Sequence, residues 1–245
     1  MSRRQKFQFD REQLRITRGA LILLFLEVGV SLVWLFLDPP AKARMASWIV
    51  PTGDSVWREG KVWTLVTGPL LETEFISLLL NGVVMWLFVP GLERWVGTNR
   101  FLRFAIYTAV AGTVAGTLLG LATDGGVPIV GLAPFTYAAL VAYGTIYAKQ
   151  PVQFFGVVPM TGRQLTIGIS AFVFLFVLLQ GAWERGAAYA AAMGLAVLLT
   201  NQKWNPRLAW LRYKKRRERA HLAVIDGGKH TPPKKPKPKG EQWLN

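Results

Sequence analysis

Six apolar runs, separated by polar segments, make up most of the chain. They cover roughly residues 19–37, 75–90, 101–122, 133–148, 165–182 and 186–200. A helix that crosses a bilayer needs about 20 mostly apolar residues. The pattern therefore predicts an all-α membrane protein built as a bundle of six transmembrane helices.

The connection between the first two runs, residues 41–73, is long and contains Trp48, Trp57 and Trp63. Tryptophan favours the membrane interface, where the ring lies among the headgroups and the N–H meets water. We therefore expect a long interfacial loop between helices 1 and 2. The fourth run, at about 16 residues, is short for a full span, so its helix is expected to begin inside the membrane beneath a water-filled cavity.

Small and polar residues inside the runs indicate how the helices pack. Gly112, Gly116 and Gly120 recur at four-residue spacing on the third helix, which lets a neighbouring backbone approach closely. Packing within the chain is the favoured interpretation, and an oligomer through helix 3 is the alternative. The sixth run is rich in Ala and Gly and is expected at the centre of the bundle. Glu27 lies near the middle of the first run; it is expected to be protonated or hydrogen-bonded within the bundle, in a packing role or as a proton or ligand site.

Charge lies outside the runs. Residues 1–18 form a basic arm, and residues 202–245 form a basic, Pro/Lys-rich tail that we expect to be largely disordered. The net charge of +15 would suggest nucleic-acid binding in a soluble domain, but its separation from the apolar runs favours a membrane protein without a nucleic-acid partner. Six helices place both ends on the side that carries most of the lysines and arginines. The positive-inside rule then predicts cytoplasmic termini, in what we expect to be a bacterial inner membrane.

One stretch, residues 75–104, carries a recognisable set of spacings. An amide on the second helix is followed, twelve residues on, by E-x-x-x-G, and the residues concerned are Asn81, Trp86, Glu93, Gly97, Arg100 and Phe101. This arrangement resembles the signature of the rhomboid family. The segment 62–71, with Trp63 and Thr67, is similar to the family's WR…T segment, although Thr64 stands where Arg is usual. The resemblance implies the fold of an intramembrane serine protease, with the membrane domain spanning residues 19–201.

The same resemblance implies where catalysis would lie. The family uses a serine in G-x-S-G at the start of the fourth helix and a histidine on the sixth, with an Asn and a His of the second helix at the oxyanion. In GLAPFTYAAL, Gly131 and Tyr137 match, but Ala133 and Pro134 replace the serine and the following glycine. In YAAAMGL, Gly194 matches and Ala191 stands at the histidine position, while Ser77 replaces the histidine of the second helix.

The residue census agrees with the absence of a catalytic pair. The two histidines, His221 and His230, lie in the tail, and the chain has no cysteine, which excludes thiolate catalysis and disulfides. Because a hydroxyl nucleophile needs a base to take its proton, the sequence predicts a protein without protease activity. We expect no metal and no cofactor.

Three functions follow as hypotheses. The first is a non-catalytic rhomboid-like protein that binds transmembrane segments of client proteins in a cavity lined by Ser77, Asn81, Ala133, Pro134 and Tyr137. The second is a protease with displaced residues, in which Ser77 is the nucleophile and Glu72 or Glu74 the base. The third is a scaffold whose basic tail binds anionic membrane lipids. For Asn81 the structural alternative is an interhelical hydrogen bond.

Overall fold

The structure, a computed structural model, describes residues 16–123, 127–154 and 158–200. The predictions for residues 1–15 of the basic arm and for the tail lie outside the described residues. The helices of the described part are α1 (Arg18–Phe36), α2 (Pro39–Ile49), α3 (Gly53–Trp57), α4 (Thr64–Thr67), α5 (Phe75–Leu87), α6 (Val89–Val96), α7 (Thr98–Ala122), α8 (Ala133–Ile146), α9 (Gly162–Gln180) and α10 (Trp183–Thr200).

The six predicted runs correspond to α1, α5, α7, α8, α9 and α10. Within the described residues, α1, α7 and α9 are each long and apolar enough to cross a membrane. A fourth candidate span combines residues 64–70 with α5, and the two parts meet at an angle of 89°. The protein is therefore an all-α membrane protein, as predicted. Two short strands, β1 (Pro151–Phe154) and β2 (Val158–Thr161), pair antiparallel before α9.

The loop predicted for residues 41–73 is largely helical. It holds α2, α3, α4 and a 3₁₀ turn at Gly68–Leu70. The indole N–H groups expected in water bind protein instead: Trp63 Nε1 donates to the Trp48 carbonyl at 2.9 Å, and Trp57 Nε1 donates to Thr117 Oγ1 at 3.2 Å. The three rings keep large exposed fractions, so their faces stay available to the interface while their N–H groups tie the segment together.

The second apolar run, predicted to end near Pro90, is not one helix, because α5 ends at Leu87. A new helix, α6, begins at Val89 and continues through Pro90 and Gly91, since a proline in the first helical turn loses an N–H that would have no partner there anyway. The turn comes instead at Gly97, whose φ of +82° favours glycine. The third helix accordingly begins at Thr98 rather than at Phe101.

Glu93 of α6 fastens this corner to the start of α1. Its carboxylate accepts hydrogen bonds from the backbone N–H groups of Gly19 and Ala20, both at 2.9 Å. The hydroxyl of Thr98 donates to it at 2.6 Å, and the hydroxyl of Thr17 donates as well. The first N–H groups of a helix lack partners within it, so Glu93 caps α1 from another part of the chain.

Helix α10 packs at the centre, against α7 and α8. Its buried face repeats every four residues, at Ala188, Ala192, Ala196 and Thr200. On α7, a Cβ at Gly112 or Gly116 would lie 3.0 Å from the carbonyl oxygens of Ala188 or Glu184 respectively. The glycines of α7 therefore allow close packing within the chain, which is the interpretation that the sequence favoured. Gly120 completes it by lying against Gly53 of α3.

An oligomer through α7 stays a prediction. Because the glycine stripe already packs on α10 and α3, such an oligomer would have to use another face of the helix. Ile106, Tyr107 and Leu118 of α7 are about half exposed and belong to that outer face.

Candidate functional site

A cavity of about 440 Å³ lies among α5, α8, α9, α10 and the segment that leads into α5. Its lining brings together the five residues predicted to form a client site: Ser77, Asn81, Ala133, Pro134 and Tyr137. The polar side chains that join them are Glu72, Thr73, Glu74, Gln180, Arg185 and Tyr189. The cavity therefore combines acidic, amide, hydroxyl and cationic side chains with apolar walls.

Helix α8 begins at Ala133, as predicted, and Gly131 sets its position. Gly131 has a φ of +85°, and a Cβ there would overlap the carboxylate of Glu72. Its N–H donates to the carbonyl of Gly68 at 3.2 Å. Pro134 occupies the first turn of α8, where a missing N–H costs nothing. The side chain at the nucleophile position of the family is a methyl group, with no hydroxyl to activate.

Asn81 is buried and uses both hydrogens of its amide within the bundle. Nδ2 lies 3.2 Å from Glu27 Oε1 and 3.2 Å from Glu72 Oε2. An amide NH₂ has two hydrogens to donate. Both are therefore engaged by carboxylates, and the group that would face an oxyanion in the family is already occupied. The interhelical hydrogen bond considered for Asn81 is present, since Glu27 belongs to α1 and Asn81 to α5.

Glu27, Asn81 and Glu72 form what we call the carboxyl–amide cluster. Glu27 is fully buried, and among the described residues its Oε2 has no hydrogen-bond partner. The backbone N–H of Glu72 donates to Ser31 Oγ at 2.9 Å, which adds a second link to α1. Sequence reasoning noticed Glu27 and Glu72 separately and missed the cluster. The available signal was a carboxylate in an apolar run, which needs a buried donor, and Asn81 is such a donor.

The ring that packs against Tyr137 belongs to Tyr189. The two centroids are 5.0 Å apart and the planes are inclined at 72°. In the family this tyrosine is expected to meet the catalytic histidine; here the ring that it meets is Tyr189, two residues before Ala191, which stays the predicted histidine position. Ala191 is absent from the cavity lining. Gly194, the glycine that matches the same family motif, is exposed, and a Cβ added there would lie in open space.

The packing of α10 determines which of its residues faces the cavity. The buried positions of α10, such as Ala188 and Ala192, face α7, and Tyr189 lies one residue beyond Ala188 on the cavity side. A run of alanines offers no sequence marker for which side of α10 faces the cavity, so the contact between Tyr189 and Tyr137 could not be predicted from the sequence.

Ser77 makes a hydrogen bond with a carboxylate, as the displaced-protease hypothesis requires. Its Oγ donates to Glu74 Oε2 at 3.3 Å. Glu74 is exposed, and a solvated carboxylate is a much weaker base than the alkoxide that it would have to generate from a hydroxyl. The amide that could stabilise the oxyanion is engaged in the carboxyl–amide cluster. Ser77 and Glu74 therefore form a hydrogen bond, but the amide that would stabilise the oxyanion is already hydrogen-bonded to other groups.

Two of the signature residues lie away from the cavity. Trp86 is about half exposed on α5, and Arg100 is exposed in the first turn of α7. With Glu93 and Gly97 they form the corner between the second and third membrane helices, and their contribution is to the fold. Trp63 holds the interfacial segment through its bond to Trp48.

Comparison with known proteins agrees with this geometry. The model of the family described as Rhomboid domain matches residues 59–201, more than half of the chain. The protein named "Putative rhomboid protease YdcA" of Bacillus subtilis (strain 168) is 31% identical over 94 residues. The aligned region covers 38% of this chain and 47% of that protein, so the chain matches about half the length of this relative. The fold, the signature corner and these matches lead to one conclusion: the chain belongs to the rhomboid family and is an integral membrane protein.

Proposed function

We propose that this protein is a rhomboid-like membrane protein without protease activity that binds transmembrane segments of client proteins. The observation that carries the proposal is the engagement of both Asn81 amide hydrogens by Glu27 and Glu72. With Ala133 at the nucleophile position and a tyrosine, not a histidine, against Tyr137, the nucleophile and the base are absent from the place where the family has them, and the oxyanion donor Asn81 is already hydrogen-bonded.

Each missing part has a chemical consequence. A hydroxyl attacks an amide only when a base removes its proton, and one oxyanion donor alone contributes about 10²–10³ in rate. Because these groups act as a unit, losing one of them already removes most of the rate enhancement. Neither tyrosine of the pair can replace the imidazole, since a phenol is protonated at neutral pH and cannot take up the proton of the nucleophile.

The cavity offers what a polar transmembrane segment lacks in lipid. A helix that carries polar or helix-breaking residues exposes groups that find no partner in hydrocarbon. The cavity is bordered by α5, through Ser77 and Leu80, and by α9, through Phe172, Phe176 and Gln180. A client helix that enters there would exchange lipid for Gln180, Arg185 and Glu74 while its apolar surface meets the two phenylalanines.

The short α8 supports entry from the bilayer. Its 14 residues span about 21 Å at 1.5 Å per residue, against a hydrocarbon thickness of about 30 Å. The cavity lies at the start of this helix, beside Ala133 and Pro134, so a polar space sits at a depth that a full-length helix would fill. A client would reach this space laterally, without leaving the membrane.

Site-specific crosslinking tests the proposal. A photoreactive amino acid at Ser77 or Ala133 is expected to capture membrane proteins, and the matched control is Leu175, an exposed residue of α9 outside the cavity lining. Capture of protein from the two cavity positions, at membrane segments and above the control, supports client binding. Recovery of lipid alone from the cavity positions would contradict it.

The second candidate is the protease with displaced residues, favoured by the hydrogen bond between Ser77 and Glu74. A fluorophosphonate probe separates the two functions, because it labels an activated serine covalently. We expect no labelling of the wild-type protein. Labelling that disappears in Ser77→Ala would establish the enzyme and overturn the first proposal.

A further inference from the structure

A second recess, separate from the cavity, lies on the other side of α5. It is a groove of about 610 Å³ between α1 and α5, and every side chain that lines it is apolar. The α5 residues at the groove include Gly82 and Trp86, whereas those at the cavity include Ser77 and Asn81. The groove therefore takes no part in the proposed client site.

The depth of the groove comes from a glycine. Gly82 faces Leu24 of α1, and a Cβ at Gly82 would lie 3.5 Å from the terminal carbon of that leucine. On the inner side the hydrogen bond between Glu27 and Asn81 holds the two helices together. The outer side stays open to the bilayer, since Leu79 and Trp86 at the groove are at least half exposed. An apolar recess of this kind, facing lipid, suits a hydrocarbon chain.

One end of the groove is basic. Ile16 lines both the groove and a neighbouring hollow, which is bordered by Arg18 and Arg94. Both arginines are exposed. Glu93 borders the same hollow, but it is buried and its carboxylate is already occupied by hydrogen bonds from Gly19, Ala20 and Thr98. An incoming anion would thus meet the exposed guanidinium group of Arg18, and a guanidinium binds phosphate with good geometry.

We propose that the groove binds an anionic glycerophospholipid. Its phosphate lies in the hollow beside Arg18, and one acyl chain follows the groove from Ile16 toward Gly82. From Ile16 to Leu32 the groove runs for about 24 Å along α1, at 1.5 Å per residue. One leaflet is about 15 Å deep, so a chain from the leaflet on the arginine side fills the half of the groove nearest to the arginines.

Lipid binding to the purified full chain tests the proposal. Native mass spectrometry in detergent would compare phosphatidylglycerol with phosphatidylcholine carrying identical chains. We expect a site that prefers the anionic lipid at least fivefold. Arg18→Gln is expected to weaken phosphatidylglycerol binding about fivefold, since one basic residue near an anionic surface contributes about 1 kcal/mol. The matched control is Arg163→Gln, an exposed arginine outside the groove and the hollow.

Filling the groove tests the acyl chain separately. Gly82→Leu, or Val28→Phe if the first variant does not fold, is expected to weaken both lipids by the same factor. Phosphatidylglycerol with brominated chains should quench the fluorescence of the wild-type protein more than that of Trp86→Phe, because bromine in the groove would lie beside that indole. Equal affinity for the two lipids, equal losses in Arg18→Gln and Arg163→Gln, or crosslinking from Leu79 to a protein rather than to lipid would each overturn the proposal.

Discussion

Tyr137 and Tyr189 pack with ring centroids 5.0 Å apart, and this contact joins α8 to α10 at the wall of the cavity. It takes the place of the tyrosine–histidine contact expected of a rhomboid protease, with a phenol where the imidazole would be. The pair also identifies which residue of an alanine-rich helix faces the cavity, and that identification leads to the first prediction.

Restoring a nucleophile and a base should not restore full activity. The double variant Ala133→Ser, Tyr189→His places a hydroxyl at the family's nucleophile position and an imidazole against Tyr137, but Asn81 still donates to Glu27 and Glu72. Adding Glu72→Ala frees one amide hydrogen and is expected to raise cleavage of a model transmembrane substrate about 100-fold over the double variant. The measurement is cleavage rate in proteoliposomes. Equal rates in the double and triple variants would show that Asn81 is not withheld by the carboxylates.

Gly131→Ala is expected to destabilise the protein by at least about 1 kcal/mol, because an L-residue at positive φ is strained and the new methyl group would overlap the Glu72 carboxylate. Thermal unfolding in detergent measures the change. Gly194→Ala is the matched control: it adds the same methyl group on α10, at a position with open space, and should be neutral or slightly stabilising. If the two variants unfold at the same temperature, the glycine is not required.

Asn81→Leu should destabilise by about 1–3 kcal/mol, since it leaves the buried carboxyl groups without their shared donor. Glu27→Leu removes a partner of that donor. If the two residues interact directly, the double variant will lose less stability than the sum of the single variants. Additive losses in the cycle would contradict the hydrogen bond. Ser170→Leu, on α9 and outside the cavity lining, serves as the control for adding an apolar side chain.

Glu93 should make stability depend on pH. Burial alone would raise its pKa, but hydrogen bonds from Thr17, Thr98 and the start of α1 outweigh burial and hold the pKa below its ordinary value. The stabilisation is therefore complete above the ordinary carboxyl pKa of about 4.3 and is lost as the pH falls through the lower, folded-state pKa. Glu93→Gln should unfold more readily than wild type at pH 7, and the difference should shrink in acid. If the difference in stability between wild type and Glu93→Gln stays constant as the pH is lowered, Glu93 does not cap α1 as an ionised carboxylate.

Membrane orientation can be tested on a chain that has no native cysteine. Asn99→Cys lies in the first turn of α7, beside the Gly97 corner, and Glu59→Cys lies in the interfacial segment after α3; both positions are exposed. With cytoplasmic termini, a membrane-impermeant maleimide should label Glu59→Cys in intact cells and should reach Asn99→Cys only after permeabilisation. The reverse pattern would contradict the orientation predicted by the positive-inside rule.

The membrane helices could be predicted from sequence because length and apolar composition determine them. The start of α8 at Ala133 and the close packing on Gly112 and Gly116 follow from local signals: a glycine, a proline and a four-residue spacing. The extra helix α6 was missed because Pro90 and Gly91 usually end a helix, whereas here the proline occupies the first turn of the next one.

The candidate site was only partly predictable, because its decisive contacts join distant parts of the chain. Glu72 meets Gly131, Asn81 meets Glu27, and Tyr137 meets Tyr189. No periodicity encodes such pairs. A single carboxylate in an apolar run indicates that it has a buried partner, but only the folded structure identifies that partner.

The buried position of Glu27 has a consequence for biosynthesis. Its amide partner follows 54 residues later in the chain, so the ribosome delivers α1 to the membrane before that partner exists. A carboxylic side chain at the centre of a span carries an insertion cost of roughly 2.5–3.5 kcal/mol when ionised. Arrival of α5 then supplies the amide donor, so docking of the second span relieves part of the cost that the first span carried alone.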